Sequence, residues 1–115
     1  MNTSTPLTTP AAHASGADVA AAAAIANGFA ERIRAASAAG TSICLRGGGS
    51  KDWYGQTPQG AVLDTRAYCG VVAYEPTELV ITVRCGTPLA EVEALLAQHG
   101  QMLAFEPPRF GAAST

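Results

Sequence analysis

Residues 46–51 read Arg-Gly-Gly-Gly-Ser-Lys and directly follow the short apolar run Ser42-Ile43-Cys44-Leu45. Three successive glycines after a strand permit backbone torsions that side chains forbid, so consecutive N–H groups can converge on one anion. Ser50 adds a hydroxyl and Lys51 a point charge. The segment Arg46-Gly47-Gly48-Gly49-Ser50-Lys51 then holds the donors that a pyrophosphate needs, although the same glycines could serve only as a flexible turn. Spacing excludes two other phosphate loops. A Walker loop requires Gly immediately before the Lys, where Ser50 stands. A dinucleotide fingerprint requires a third Gly where Asp52 stands and a helix next, whereas a Gly-, Pro- and Gln-rich loop runs on to Gly60.

Other chemistry-bearing residues are fewer. Trp53 and Tyr54, just past the glycines, could stack on a ring or pack the loop onto the domain. Asp64 ends an apolar run and could accept a cofactor hydrogen bond or form a turn. Glu75, Glu78, Glu91 and Glu93 fall in a turn and on a helix face, where solvation is the default, and they do not form a general-acid pair. His99 reads as an exposed residue near a helix end, and His13 lies in an N-terminal tract with no role to assign. Cys44, Cys69 and Cys85 are odd in number and widely spaced. They match neither a disulfide framework nor a C-x-x-C knuckle, so the expectation is small buried hydrophobes in a reducing compartment, with no metal site.

The elements that must position the glycines follow from periodicity. Residues 1–16, a Thr/Ser/Pro/Ala tract, carry too little apolar surface to offset the entropy of ordering, which predicts a disordered tail. From Asp18, Val19, Ala22, Ile25, Ala26, Phe29, Ile33 and Ala36 recur at helical spacing, with Asp18 as N-cap and Gly40 as C-cap. Strands are expected at Ser42–Arg46, Ala61–Asp64, Gly70–Tyr74 and Leu79–Cys85. In the last of these Leu79, Ile81, Val83 and Cys85 would share one face, and Glu75-Pro76-Thr77-Glu78 is short enough to force an antiparallel hairpin. Thr87 with Pro88 predicts a helix start, Leu89, Val92, Leu95 and Leu96 its apolar stripe, and Gly100 its end. Met102–Phe105 would add a final short strand. The class is α+β, a small mixed sheet with an antiparallel hairpin and flanking helices.

With 115 residues the chain fits one domain at most. Nine acidic against seven basic residues, with no basic cluster, leave no footprint for nucleic acid or anionic lipid. Hydrophobic residues make up 48%, much of it Ala, with no strongly apolar run of roughly 18 residues that would span a membrane. The N-terminus lacks the basic and apolar regions of a secretory signal, so a cytoplasmic protein is expected. The chain stops at Ala112–Thr115 just after the expected last strand, which predicts truncation at the C-terminus.

Taken in order, Arg46–Ser50, Val62-Leu63-Asp64, Thr82-Val83-Arg84-Cys85-Gly86-Thr87-Pro88-Leu89 and Gly100 resemble the FAD-binding domain of the vanillyl-alcohol-oxidase and p-cresol-methylhydroxylase (PCMH) type. Tyr74–Thr82 and Gly100–Pro108 are most similar to the FAD-binding subunits of bacterial glycolate oxidases. The resemblance covers residues 40–115 well and the first helix loosely. It implies that residues 17–115 are the N-terminal part of such a domain and that Gly47, Gly48, Gly49, Ser50 and Lys51 wrap the FAD pyrophosphate. Pro107 and Pro108 match the turn that approaches the flavin, and Thr115 the residue that leads into a further Gly-Gly pair, which is absent from this chain. Relatives that attach flavin covalently through this loop carry a His in the glycine run; Ser50 follows Gly49 here, which implies non-covalent FAD.

The activity implied is oxidation of a small 2-hydroxy acid, glycolate to glyoxylate, beside a second flavoprotein subunit and an iron–sulfur subunit. Three scattered cysteines supply no cluster ligation in this chain. The alternatives are a D-lactate dehydrogenase-like flavoprotein, against which Glu106-Pro107-Pro108 argues, and a non-catalytic nucleotide-binding module. Gly48→Val is expected to fill the glycine nest and weaken FAD binding.

Overall fold

The structure is a computed structural model that describes residues 15–111 and 114–115. Nearly all of the expected disordered tail, and His13, lie outside the described residues. Helix α1 (Gly16–Ala39) begins with a reciprocal cap. Ser15 Oγ accepts from the Asp18 N–H at 3.2 Å, and the Asp18 carboxylate accepts from the Ser15 N–H at 3.2 Å and hydroxyl at 2.6 Å. Asp18 is therefore the third helical residue of a capping box rather than the N-cap, because Ser15 stands three residues earlier. Gly40 at φ 64° ends the helix as expected. No residue of α1 is buried. Its attachments include the edge of Phe29 on Tyr68, 6.0 Å between centroids, and an Arg32 Nη2 hydrogen bond of 2.6 Å to the Val62 carbonyl.

The four strands are β1 (Ile43–Arg46), β2 (Ala61–Asp64), β3 (Val71–Glu75) and β4 (Val80–Val83). The α+β class, the antiparallel hairpin and the flanking helices are as expected, with the pairing divided between two small sheets. β1 and β2 are parallel, Ile43 opposite Ala61 and Arg46 opposite Asp64. The Arg46 carbonyl is gripped by Thr65 just beyond β2, through its N–H at 2.9 Å and its hydroxyl at 3.4 Å. β3 and β4 are antiparallel, joined by a 3₁₀ turn at Pro76–Glu78.

Three expectations about this region change. Leu79 does not extend the strand: it adopts φ 57° and ψ 36°, its N–H closes the turn on the Pro76 carbonyl, and it is 78% exposed. The predicted buried face reduces to Ile81, since Val83 and Cys85 are exposed and a bulge between Val71 and Ala73 breaks the alternation. Cys69 is exposed too and Cys44 half-buried, so the cysteines are not core residues.

Helix α2 (Leu89–Gln98) lays Val92 and Leu96 into the core with Leu63 of β2. Thr87 does not cap it. The Thr87 hydroxyl, buried, donates to the Arg84 carbonyl at 2.6 Å and accepts from the Gly70 N–H at 2.9 Å, pinning the hairpin base; the helix N-cap is Pro88. Gly100 adopts φ 67° just past the helix end. Met102–Phe105 form no strand. Gln101 instead fastens this segment to the hairpin by its side chain, accepting from the Tyr74 hydroxyl at 2.6 Å and donating to the Pro76 carbonyl at 2.7 Å.

Replacing the buried Thr87 hydroxyl with a methyl orphans the Gly70 N–H. Thr87→Val is expected to lower the unfolding free energy by about 2 kcal/mol in urea denaturation, with Thr87→Ser losing much less.

Candidate functional site

The strand β1 ends on Arg46, and the glycine loop leaves it along one wall of an open cleft of about 770 Å³. Gly47, Gly48, Gly49, Ser50 and Lys51 line that wall. Pro107, Pro108 and Thr115 line the same cleft, so all eight residues expected from sequence come together. Leu89, at the start of α2, also faces it.

What closes the loop is an ion pair. The Arg46 guanidinium takes the Asp52 carboxylate with two nitrogens, Nη2 at 2.6 Å and Nε at 3.0 Å. Each partner reinforces the other's charge: the paired arginine holds Asp52 below the usual carboxylate range, and Arg46 is raised. Arg46 is thereby committed within the loop, and the anion donors of the expected set start at Gly47. Gly49 sits at φ 73°, and a Cβ there would collide with the Arg46 guanidinium. At Gly47 a Cβ would strike the Thr115 hydroxyl. Gly48 lines the same wall without a positive φ, and the torsion that favours glycine falls at Gly49.

Among the described residues, the backbone N–H groups of residues 47–51 meet no acceptor within the chain. Five consecutive donors without partners leave this wall of the cleft rich in hydrogen-bond donors. Lys51 is exposed and, among the described residues, unpaired.

Two contacts hold the loop against the distant C-terminal segment, and a third ties that segment to α2. The Trp53 ring meets Phe110 edge-on at 5.1 Å and its Nε1 donates to the Ser50 carbonyl at 3.1 Å. Ser114, 6% exposed, places its Oγ 3.5 Å from Ser50 Oγ and accepts the Leu89 N–H on its carbonyl at 2.9 Å. Arg109 pairs with Glu93 of α2. Trp53 thus packs the loop, while Tyr54 lines the cleft. Ser114 was missed from the sequence; a lone Ser beside the chain's last residue carries no periodic or motif signal.

The remaining candidates lie outside the cleft. Asp64 accepts from the Arg66 backbone N–H at 3.0 Å and from its guanidinium at 2.5 Å, which makes it a turn former. His99 caps α2 at its C-terminus, Nδ1 3.2 Å from the Leu95 carbonyl, its ring edge-on to Tyr74 at 5.0 Å. Glu75, Glu78 and Glu91 are exposed.

The Arg66 bonds hold the Asp64 carboxyl at about 2 against an ordinary 3.8. Being depressed in the folded state, it contributes stability that is full above the ordinary value and lost as pH falls toward the folded one. An NMR titration of Asp64 should show that low midpoint, and Arg66→Ala should return it toward 3.8.

Residues 13–115 match the family model described as FAD binding domain. Over 85 residues the chain is 45% identical to the glycolate oxidase subunit GlcE of Escherichia coli (strain K12), covering 74% of this chain and 24% of that protein. The chain therefore spans about a quarter of the length of the curated relative it matches. No solved structure matches it.

Proposed function

The chain belongs to the FAD binding domain family, and on that premise we propose that it supplies the pyrophosphate-binding part of a flavin-dependent oxidoreductase subunit. The substrate is a small 2-hydroxy acid, glycolate converted to glyoxylate, as the name of the Escherichia coli relative suggests. The observation that carries the reading is the run of unpartnered N–H groups at 47–51 facing a cleft whose other walls are Pro107, Pro108 and residues 114–115.

In this proposal Gly47, Gly48, Gly49 and Ser50 donate their N–H groups to the pyrophosphate oxygens, and Lys51 adds the positive charge that Arg46, spent on Asp52, does not. Pro107 and Pro108 have no N–H and a fixed φ, so they form a stiff, apolar wall. Thr115 stands against Gly47 and closes the cradle. The chemistry that bound FAD would supply is two-electron oxidation of the substrate alcohol. The chain's part is to hold and orient FAD. Attachment is non-covalent: Ser50 occupies the loop, and His99 lies away from the cleft on the far end of α2. A second flavoprotein subunit and an iron–sulfur subunit complete the assembly, in the cytoplasm; no helix among the described residues is long and apolar enough to cross a membrane.

Gly49→Val puts a β-branched side chain at a positive φ and into the Arg46 guanidinium. It is expected to weaken FAD binding by about 30-fold, roughly 2 kcal/mol, in a fluorescence titration with the far-UV spectrum unchanged. Equal affinity in variant and parent would reduce the glycines to a turn. For the activity, flavin in the protein assembled with its partner subunits should bleach anaerobically on addition of glycolate. Bleaching with D-lactate alone would favour the lactate reading, and flavin unmoved by any 2-hydroxy acid would leave a nucleotide-binding module.

A further inference from the structure

Among the described residues that line the cleft, charged side chains belong to Arg46, Lys51 and Asp52. Two of them cancel. Asp52 Oδ2 accepts from Arg46 Nη2 at 2.6 Å and from Nε at 3.0 Å, and its Oδ1 accepts from Nε at 3.3 Å. Lys51 is left as the cleft charge without an opposite partner among the described residues, beside the bare N–H groups of residues 47–51.

Stability does not account for this pair. Its side chains are 37% and 56% exposed, and an ion pair so open to water contributes little to folding. The backbone turns the loop in any case, the Asp52 N–H donating to the Gly49 carbonyl at 3.2 Å and the Tyr54 N–H to the Lys51 carbonyl at 2.9 Å. What the carboxylate does alter is the field in the cleft. The guanidinium lies against Gly49, where it would collide with a Cβ, and Asp52 Oδ2 would stand 3.1 Å from that same Cβ. Both charges thus act within the glycine run, and an anion held by the N–H groups of residues 47–51 feels their sum rather than Arg46 alone.

The sum matters to some ligands more than to others. A phosphate esterified on both sides carries a single charge, whereas a terminal phosphate, with a second pKa of about 6, carries nearly one more at neutral pH. Free ADP and ATP share the adenosine diphosphate group of FAD but bear about one and about two further charges. Each further charge gains from every uncompensated cation nearby.

We infer that Asp52 is a specificity-determining residue: by cancelling Arg46 it lowers the affinity of the cleft for free nucleoside di- and triphosphates relative to a diphosphate esterified at both ends. The inference rests on the proposed reading of the cleft as a pyrophosphate site. It gives the carboxylate a task that the N–H donors cannot perform, since they are neutral and favour any phosphate oxygen alike.

Isothermal titration calorimetry of the full chain with FAD, ADP and ATP, in roughly 0.02 M and roughly 0.5 M sodium chloride, tests this. Asp52→Asn keeps the outline of the side chain and removes its charge. It is expected to raise the affinity for ADP relative to FAD by about fivefold at low salt, and that for ATP further, with most of the gain lost at high salt. Arg46→Gln should move the ratios the opposite way. The double variant Arg46→Gln/Asp52→Asn should return them to the parent values, and Asp52→Glu should leave them there. A loop that depends on the pair for its shape would instead lose affinity for all three ligands in the double variant, and that result overturns the inference. So does an ADP-to-FAD ratio unmoved in Asp52→Asn while the parent binds FAD. A parent that binds no FAD overturns the pyrophosphate reading itself, and the inference with it.

Discussion

The Arg46 guanidinium takes Asp52 with two nitrogens and, in doing so, occupies the space that any side chain at position 49 would need. Two kinds of constraint meet at that point. Electrostatics draws the start and end of the loop together, and the Arg46 guanidinium then crowds any side chain at position 49, at a torsion that favours glycine in any case. The N–H groups of residues 47–51 meet no acceptor among the described residues, and the ion pair that closes the loop lines the same cleft.

The opposite wall is made by a segment far along the chain. Ser114 is the joint: its carbonyl takes the otherwise unpaired N–H at the head of α2, and its hydroxyl lies against Ser50. Trp53 and Phe110 add an apolar clasp at the rim. Helix α2 carries Val92 and Leu96, buried like Leu63 of β2, and the Ser114 carbonyl ties the C-terminal segment to the head of that helix.

Much of this was legible in the sequence because it was local. Glycine spacing marked the loop that lines the cleft, a four-residue link marked the hairpin, and the Leu89–Leu96 stripe marked α2. Two of the misreadings have a different origin, competition for hydrogen bonds between segments remote in sequence. Thr87 carries every sign of a helix cap, yet its hydroxyl is drawn to Gly70 and Arg84, and α2 is completed by the Ser114 carbonyl instead. Met102–Phe105 has the pattern of a strand, but Gln101 satisfies the hairpin with its side chain and no ladder follows. Asp18 looked like a cap because the Ser three residues before it fell in a tract read as disordered. Leu79 took the left-handed turn position that glycine usually fills, and no local preference of Leu announces that.

The separations along the chain order the assembly in time. The β3–β4 hairpin and α2 are built from neighbours and require closure of short loops only, whereas the parallel pairing of β1 with β2 must first span the whole glycine loop. The meeting of Ser50 with Ser114 bridges 64 positions, and Gly47 meets Thr115 across a still longer stretch of chain. By loop-closure entropy alone, the cradle is the costliest feature of the cleft to close as the chain folds. A ligand that grips both walls would then act as a late folding partner as much as a passenger, its binding energy felt where the native architecture is most weakly closed.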